Sequence, residues 1–229
     1  MEDWDLKLVS HIVWAIQNKG FLSAITKAER GYGKSMYNLK VMAQVYYTIN
    51  GCTIDEAWEQ ALDSIIFTPD EFMNRIEQNL YKGVISPVWC IDDATVHFSS
   101  YLYFINLYQA SLLNAAFDTI RTAVSSLLIN CPSKHRLLSG LRGYDDYEIT
   151  LYKVAGSKYM RKAVGIKWYS LPDGHRKFKK SFEDHFSVYV PDPIYEKYMV
   201  MRKRYLQKIS EELKYLRDQL TKKKKSQKQ

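Results

Sequence analysis

The sequence predicts an α/β fold of three layers, a mainly parallel central sheet sandwiched between helices, followed by a basic β-hairpin and a long helix. Three observations predict it. Short apolar runs alternate with helix-period segments through the first two thirds of the chain, the pattern of β-α-β units around a parallel sheet. Two of those runs lead into residues that carry chemistry, Ala28–Ser35 and Asp92-Asp93. Charge is also unevenly placed: residues 1–150 hold 12 Lys and Arg against 17 Asp and Glu, and residues 151–229 hold 21 against 8. At 229 residues there is room for one α/β domain with an appendage.

Taken in order, Phe21-Leu22-Ser23-Ala24-Ile25-Thr26 follows Gly20 and reads as a buried strand. After an intervening loop, Met36, Leu39, Ala43, Tyr46 and Tyr47 recur at helical spacing and stop at Asn50-Gly51. Ser64–Thr68 is the next strand. A helix then starts with Thr68 as N-cap, Pro69 at its first position and Asp70-Glu71 in its first turn, with Phe72, Ile76 and Leu80 on one face. Pro87 opens the apolar run Val88-Trp89-Cys90-Ile91, which ends in Asp92-Asp93. Tyr101 to Val124 reads as a long helical stretch. Ser125–Ile129 is a third strand ending at Asn130, and Tyr147–Val154 is a further one.

The loop Ala28-Glu29-Arg30-Gly31-Tyr32-Gly33-Lys34-Ser35 fits G-x-x-x-x-G-K-[ST] except that alanine stands at the first glycine. Such a loop wraps backbone N–H groups around phosphates at a helix N-terminus, where the helix dipole also favours anions. The expected binding residues are Glu29, Arg30, Gly31, Tyr32, Gly33, Lys34, Ser35 and Met36. Lys34 reaches the β- and γ-phosphates, and the Ser35 hydroxyl ligates Mg²⁺. A partner carboxylate must hold the metal and activate water: Asp92 is expected at the metal and Asp93 at the water. Asn130, at the end of its strand, is positioned to touch the γ-phosphate or the water, although asparagine there is also a common turn residue. By analogy only, Arg142 or Arg136, between the third and final strands, is the candidate to complete a neighbouring subunit's site; either is equally readable as a surface charge.

With these motifs in this order, residues 19–155 resemble a P-loop NTPase of the branch that places an additional strand between the loop strand and the acidic strand. That branch includes AAA+ proteins, replication initiators of the DnaA type, and RecA-like and HerA/FtsK-like motors. Compact size, many tyrosines (18) and a basic C-terminal extension also resemble small ATPases encoded by viruses and plasmids of archaea. The resemblance implies ATP and Mg²⁺ as cofactors and an ATP-dependent oligomer. It departs from the commonest pattern at Ala28, and at Asp93, where many such ATPases use glutamate. No guanine-specifying N-K-x-D motif is present, so ATP is expected over GTP.

Beyond residue 155 the chain turns basic. Tyr159–Ser170 and Arg176–Val190 read as two extended segments around the turn Leu171-Pro172-Asp173-Gly174. Lys167, Arg176, Lys177, Lys179 and Lys180 interleave there with Trp168, Tyr169 and Phe178. Cations for phosphates beside rings for bases suit a nucleic-acid groove, while alternation alone also predicts one face packed on the body. Pro191-Asp192-Pro193 then starts an amphipathic helix to about Leu220, ahead of a lysine-rich end. The expected organisation is a P-loop ATPase core over 1–155, a hairpin-like extension over 156–192, the helix over 193–220 and a disordered tail over 221–229.

Several classes are excluded or disfavoured. No apolar run approaches the roughly 20 residues of a membrane span, and the acidic Met1-Glu2-Asp3-Trp4-Asp5 is no secretory signal. Cys52, Cys90 and Cys131 lack C-x-x-C spacing, which suits reduced thiols in a cytoplasmic protein and not a zinc site. No helix-turn-helix pattern is evident. The expected function is a Mg²⁺-dependent ATPase coupled to DNA, as in replication initiation, helicase loading or genome packaging. The competing expectation is an ATP-dependent switch whose basic C-terminus binds an acidic protein or a membrane surface.

Overall fold

A computed structural model describes residues 5–100, 106–143, 146–171, 173 and 175–226, excluding the side chains of 170, 176, 212, 213, 215, 216 and 218–226. Residues 1–4, 101–105, 144, 145, 172, 174 and 227–229 lie outside the description, and with them the start of the expected 101–124 helix, two residues of the hairpin turn and the end of the tail.

The elements follow one another as α1 (Lys7–Gln17), β1 (Leu22–Lys27), α2 (Lys34–Asn50), α3 (Ile54–Asp63), β2 (Ile65–Ile66), α4 (Pro69–Lys82), β3 (Trp89–Ile91), α5 (Leu107–Thr119), β4 (Ser126–Cys131), α6 (Ser139–Arg142), β5 (Tyr147–Lys153), β6 (Met160–Ser170), β7 (Arg176–Ser187) and α7 (Asp192–Ser226). Seven strands form one sheet in the order β2-β3-β4-β1-β5-β6-β7. The first five are mutually parallel, and β6 and β7 add antiparallel at the β5 edge. Strand β4 lies between the loop strand β1 and the acidic strand β3, the arrangement expected from the sequence.

Local signals explain most boundaries. Thr53 with Glu56, and Thr68 with Glu71, form reciprocal capping boxes at the starts of α3 and α4. Helices α2 and α4 end at Gly51 and Gly83, both in the left-handed conformation that glycine adopts without steric cost. Three helices, α1, α3 and the short α6, are absent from the sequence reading. The signal for α1 is present in the chain, since Leu8, Ile12 and Ala15 recur at helical spacing and are buried.

Alternation along the strands sorts side chains into two layers. Ile25, Trp89, Ile91, Leu127 and Ile129 face one core with Phe72, Ile76, Leu113 and Phe117 of α4 and α5. By the two-residue period of the strands, Thr26, Cys90, Leu128 and Asn130 face the other side, where Asn38 of α2 bonds to both Thr26 and Asn130. Cys90 and Cys131 are buried free thiols, and Cys52 is partly exposed.

The structure corrects four expectations. Asn130 lies inside β4, because pairing with β1 continues through Lys27↔Cys131. The expected 101–124 helix is shorter: Asn106 caps Gln109 at the start of α5, and a 3₁₀ turn over Ile120–Thr122 tightens its end. The basic hairpin is not an appendage either. Strand β6 pairs with β5 from Tyr147↔Lys167 to Lys153↔Arg161, so the hairpin extends the central sheet, and residues 1–190 form one compact unit. Residues 191–229 are a second unit, whose helix runs to Ser226 through the lysine run, lysine being a good helix former. No helix among the described residues is long and apolar enough to cross a membrane.

A bulge between Gly165 and Ile166 shifts the β6–β7 register. At Gly165 the Phe182 ring lies so close that a Cβ would collide with it. Gly165→Ala is expected to lower unfolding stability by about 1–3 kcal/mol. In a urea-denaturation cycle, Phe182→Ala should mask much of that loss.

Candidate nucleotide site

The loop spans the six residues between β1 and α2. Gly31 and Gly33 take left-handed angles, φ +78° and +87°, which an L side chain rarely adopts. Ala28 is not among the residues with positive φ, so alanine at the first glycine position needs no unusual backbone. Gly33 has a second constraint: a Cβ there would lie 2.7 Å from Val188 Cγ1, just beyond β7. No side chain caps the N-terminus of α2. Its first-turn N–H groups therefore face the loop as an anion-binding end. Lys34 Nζ donates to the carbonyls of Ala28 at 2.8 Å and Glu29 at 3.0 Å, folding its ammonium across the loop.

The acidic side meets this loop through Asp92, which follows β3 and is 2% exposed. Its Oδ1 accepts from Ser35 Oγ at 3.0 Å, from Asn130 Nδ2 at 2.9 Å and from the Asp93 N–H at 3.0 Å. The network continues inward, as Asn38 Nδ2 donates to Asn130 Oδ1 at 2.8 Å and Thr26 Oγ1 donates to Asn38 Oδ1 at 3.1 Å. Asp93 is half-buried with φ +48°, a left-handed conformation that aspartate tolerates better than most residues. Burial, and then the charge of Asp92, push the Cys90 thiol well above its usual pKa, so it stays protonated behind the site.

A hydroxyl and a carboxylate 3.0 Å apart are hard oxygen donors of the kind Mg²⁺ takes. Among the described residues no group of three or more His, Cys, Asp or Glu could hold a metal by itself.

The structure thus brings Lys34, Ser35, Asp92, Asp93 and Asn130 together. Glu29, Arg30 and Gly31 are exposed along the loop, and Met36 is buried. Tyr32 lies beneath Lys153 Nζ at 4.9 Å. Arg142 is not drawn in: it ends α6, in the connection that returns toward the start of β5, and its buried Nε has no hydrogen-bond partner. Arg136 is exposed five residues after β4 ends.

Sequence reasoning missed several contributors. Thr26 and Asn38 complete the polar network, but neither belongs to a short motif. Glu148 pairs with both Lys27 and Lys134, the latter at 2.8 Å. Burial raises its carboxyl, yet the hydrogen bonds and charges of Lys134 and Lys27 outweigh this and hold it below the ordinary 4.5. The far end of β7 braces α2: Tyr37 Oη donates to Asp184 at 2.8 Å, the Tyr37 and Phe186 rings lie 4.8 Å apart, and Asp184 also accepts the Lys7 N–H of α1 at 2.8 Å. The hairpin cations lie elsewhere. Cross-strand pairs Lys167↔Lys179 and Tyr169↔Lys177 share one face, and Trp168↔Phe178 and Ile166↔Lys180 share the other. Lys180 is engaged by Glu183 at 2.6 Å. Of Arg176 only the backbone, in β7, is described.

No protein-family model matches the chain. It is 29% identical over 221 residues to uncharacterized protein B-251 of Sulfolobus spindle-shape virus 1, covering 92% of this chain and 85% of that protein. Among solved structures, an ATPase domain aligns with 76% of this chain and 77% of its own length, at 12% identity and a TM-score of 0.30. That likeness adds nothing to what the strand order already establishes.

Two variants test the network. Asn38→Ala leaves Asn130 Oδ1 and the Thr26 hydroxyl without their partner and is expected to cost about 2–3 kcal/mol in chemical denaturation. Glu29→Ala, at an exposed position, should stay within about 0.5 kcal/mol of the parent.

Proposed function

We propose that this chain is a Mg²⁺-dependent ATPase that couples ATP binding and hydrolysis to DNA. The observation that carries the reading is the Ser35 hydroxyl 3.0 Å from the buried Asp92 carboxylate, beneath a loop whose backbone carbonyls hold the Lys34 ammonium. Lys34 exchanges those carbonyls for the β- and γ-phosphates, while the N–H groups of the loop and the first turn of α2 receive the phosphate oxygens. Ser35 and Asp92 would hold Mg²⁺, which would supply positive charge against the phosphates. Asp93, next to Asp92 and less buried, orients the attacking water. Asn130 is already hydrogen-bonded to Asp92, so loading of the site is felt directly in β4. In an ATP-dependent oligomer an arginine from the β4–β5 connection completes the neighbouring site. Arg142 and Arg136 both lie there, and the exposure of Arg136 favours Arg136 for this role.

DNA is assigned to the hairpin, through Lys167, Trp168, Arg176, Lys177, Lys179 and Lys180. Support comes from the excess of cations after residue 150 and from the contacts of β7. Its C-terminal end touches the loop and α2 through Val188, Phe186 and Asp184, and its N-terminal end bears the basic residues. From Arg176 to Ser187 the strand spans roughly 35–40 Å. A viral relative fits a role in replication or packaging of a genome.

The test is ATP hydrolysis with Mg²⁺, with and without single- or double-stranded DNA at low salt. The parent should hydrolyse ATP faster with DNA. Lys34→Ala should lose ATP binding, and Asp93→Asn should retain binding while turnover falls at least about 100-fold. Normal turnover by Lys34→Ala would remove the ATPase reading. Turnover indifferent to DNA, with no DNA binding, would leave an ATP switch with another partner.

A further inference from the structure

A cavity of about 380 Å³ opens at the end of the sheet where β1 and β5 begin, opposite the nucleotide loop. Its lining includes His11, Trp14, Tyr147, Lys167, Tyr169 and Ser181. Three rings form an aromatic cluster on this face: the His11 centroid is 5.2 Å from Tyr147 and 5.7 Å from Phe182, and Tyr147 and Phe182 are 5.8 Å apart. The β-bulge helps build it. Glycine at 165 lets Phe182 lie over β6, and the extra residue of β7, Ser181, is left at the cavity.

Around this cluster stand two rings with large exposed areas, Trp14 at 67% and Tyr169 at 44%. Lys167 Nζ lies 5.5 Å from the Tyr147 ring centroid and 5.8 Å from that of Tyr169. Burial, and next the charge of Lys167, hold His11 below 6.5 against a smaller opposing pull from Asp184, so at neutral pH its ring is neutral. Tyr147 Oη and His11 Nδ1 are 3.4 Å apart. The carboxylate at the cavity wall, Asp146, accepts the Ser23 N–H and hydroxyl at 3.0 Å each through its Oδ2. The cavity therefore offers ring faces, one cation, neutral polar groups and a carboxylate turned to the start of β1.

What lies outside the cavity selects the ligand. Pairing with β5 stops at Tyr147↔Lys167, and the hairpin runs on past it. Lys179, opposite Lys167, and Lys177, opposite Tyr169, share the cavity's face and follow at steps of about 7 Å. A track of cations leading out of an aromatic cavity suits a polyanion whose bases are free to leave the stack. Duplex bases are not free in this way.

We propose that this cavity seats one base of single-stranded DNA, stacked on Trp14 and Tyr169, with Lys167, Lys179 and Lys177 following the phosphates away from it. The assignment rests on the DNA reading above and narrows it to a strand form and an entry point.

The probe is a fluorescein-labelled oligonucleotide of about 16 thymidines, titrated at low salt into the 229-residue chain and compared with a duplex of the same length. Both replaced rings are exposed, so Trp14→Ala with Tyr169→Ala should leave folding and ATP binding unchanged while affinity for the single strand falls about tenfold or more. Duplex affinity should change less than twofold. Lys177→Ala with Lys179→Ala should weaken both forms and flatten the salt dependence. Trp14→Phe should recover most of the single-strand affinity. If the ring variants bind the single strand like the parent while the lysine variants do not, the cavity assignment is wrong and the DNA reading stands. If the parent binds neither form, both fail. A free thymidine nucleotide bound as tightly as the oligonucleotide would also overturn the proposal, by making the cavity a small-molecule site.

Discussion

One carboxylate oxygen, Oδ1 of Asp92, holds the centre of this protein together. It accepts from Ser35 at the start of α2, from Asn130 in β4 and from its own neighbour's backbone. Through Asn38 and Thr26 the same network reaches β1. The four inner members, Thr26, Asn38, Asp92 and Asn130, are buried, and each would cost on the order of 1–3 kcal/mol if left unpaired. The pairing Thr26↔Asn130 puts two of these residues side by side on adjacent strands. A one-residue slip of either strand would turn its own member away from α2, so the network also fixes the register of the sheet.

The loop is supported from a second direction by β7. Val188 closes the space where Gly33 would carry a Cβ, and Asp184 ties Tyr37 of α2 to the first turn of α1. Such close packing transmits displacement, because interiors are dense and repack in discrete steps. Under the proposed function, a phosphate that draws Lys34 from the Ala28 and Glu29 carbonyls would act on a loop backed directly by the end of the last strand and Val188. The same strand carries its cations at the opposite end of the sheet. The Lys34–Asp92 site and the hairpin cations are therefore separated in space yet share one continuous backbone.

Much of the site was legible because its chemistry is local in sequence. Glycines at 31 and 33 meet a backbone demand that lies within the loop, and Lys34 and Ser35 follow at a fixed distance. Asp92 and Asn130 announced themselves as polar residues closing apolar runs. Asn38 and Thr26 did not, since a polar residue on an amphipathic helix or at a strand end reads as solvent-facing until the opposite element is in place. Asp184 was hidden in the same way, among the charges of a basic hairpin. It is buried because α1 and α2 lie against that face of β7.

The sequence by itself determined the alternation of strands and helices, the loop, the acidic pair and the split of charge along the chain, all of which depend on residues within a few positions of one another. Tertiary structure decided what depends on distant pairing. It joined the hairpin to the sheet edge through β5, placed its cations at the end away from the loop, and assembled Trp14, Tyr147, Lys167 and Ser181 around one cavity from four separate segments. Strand pairing brings together residues far apart along the chain, and no local pattern encodes which edge a strand will choose.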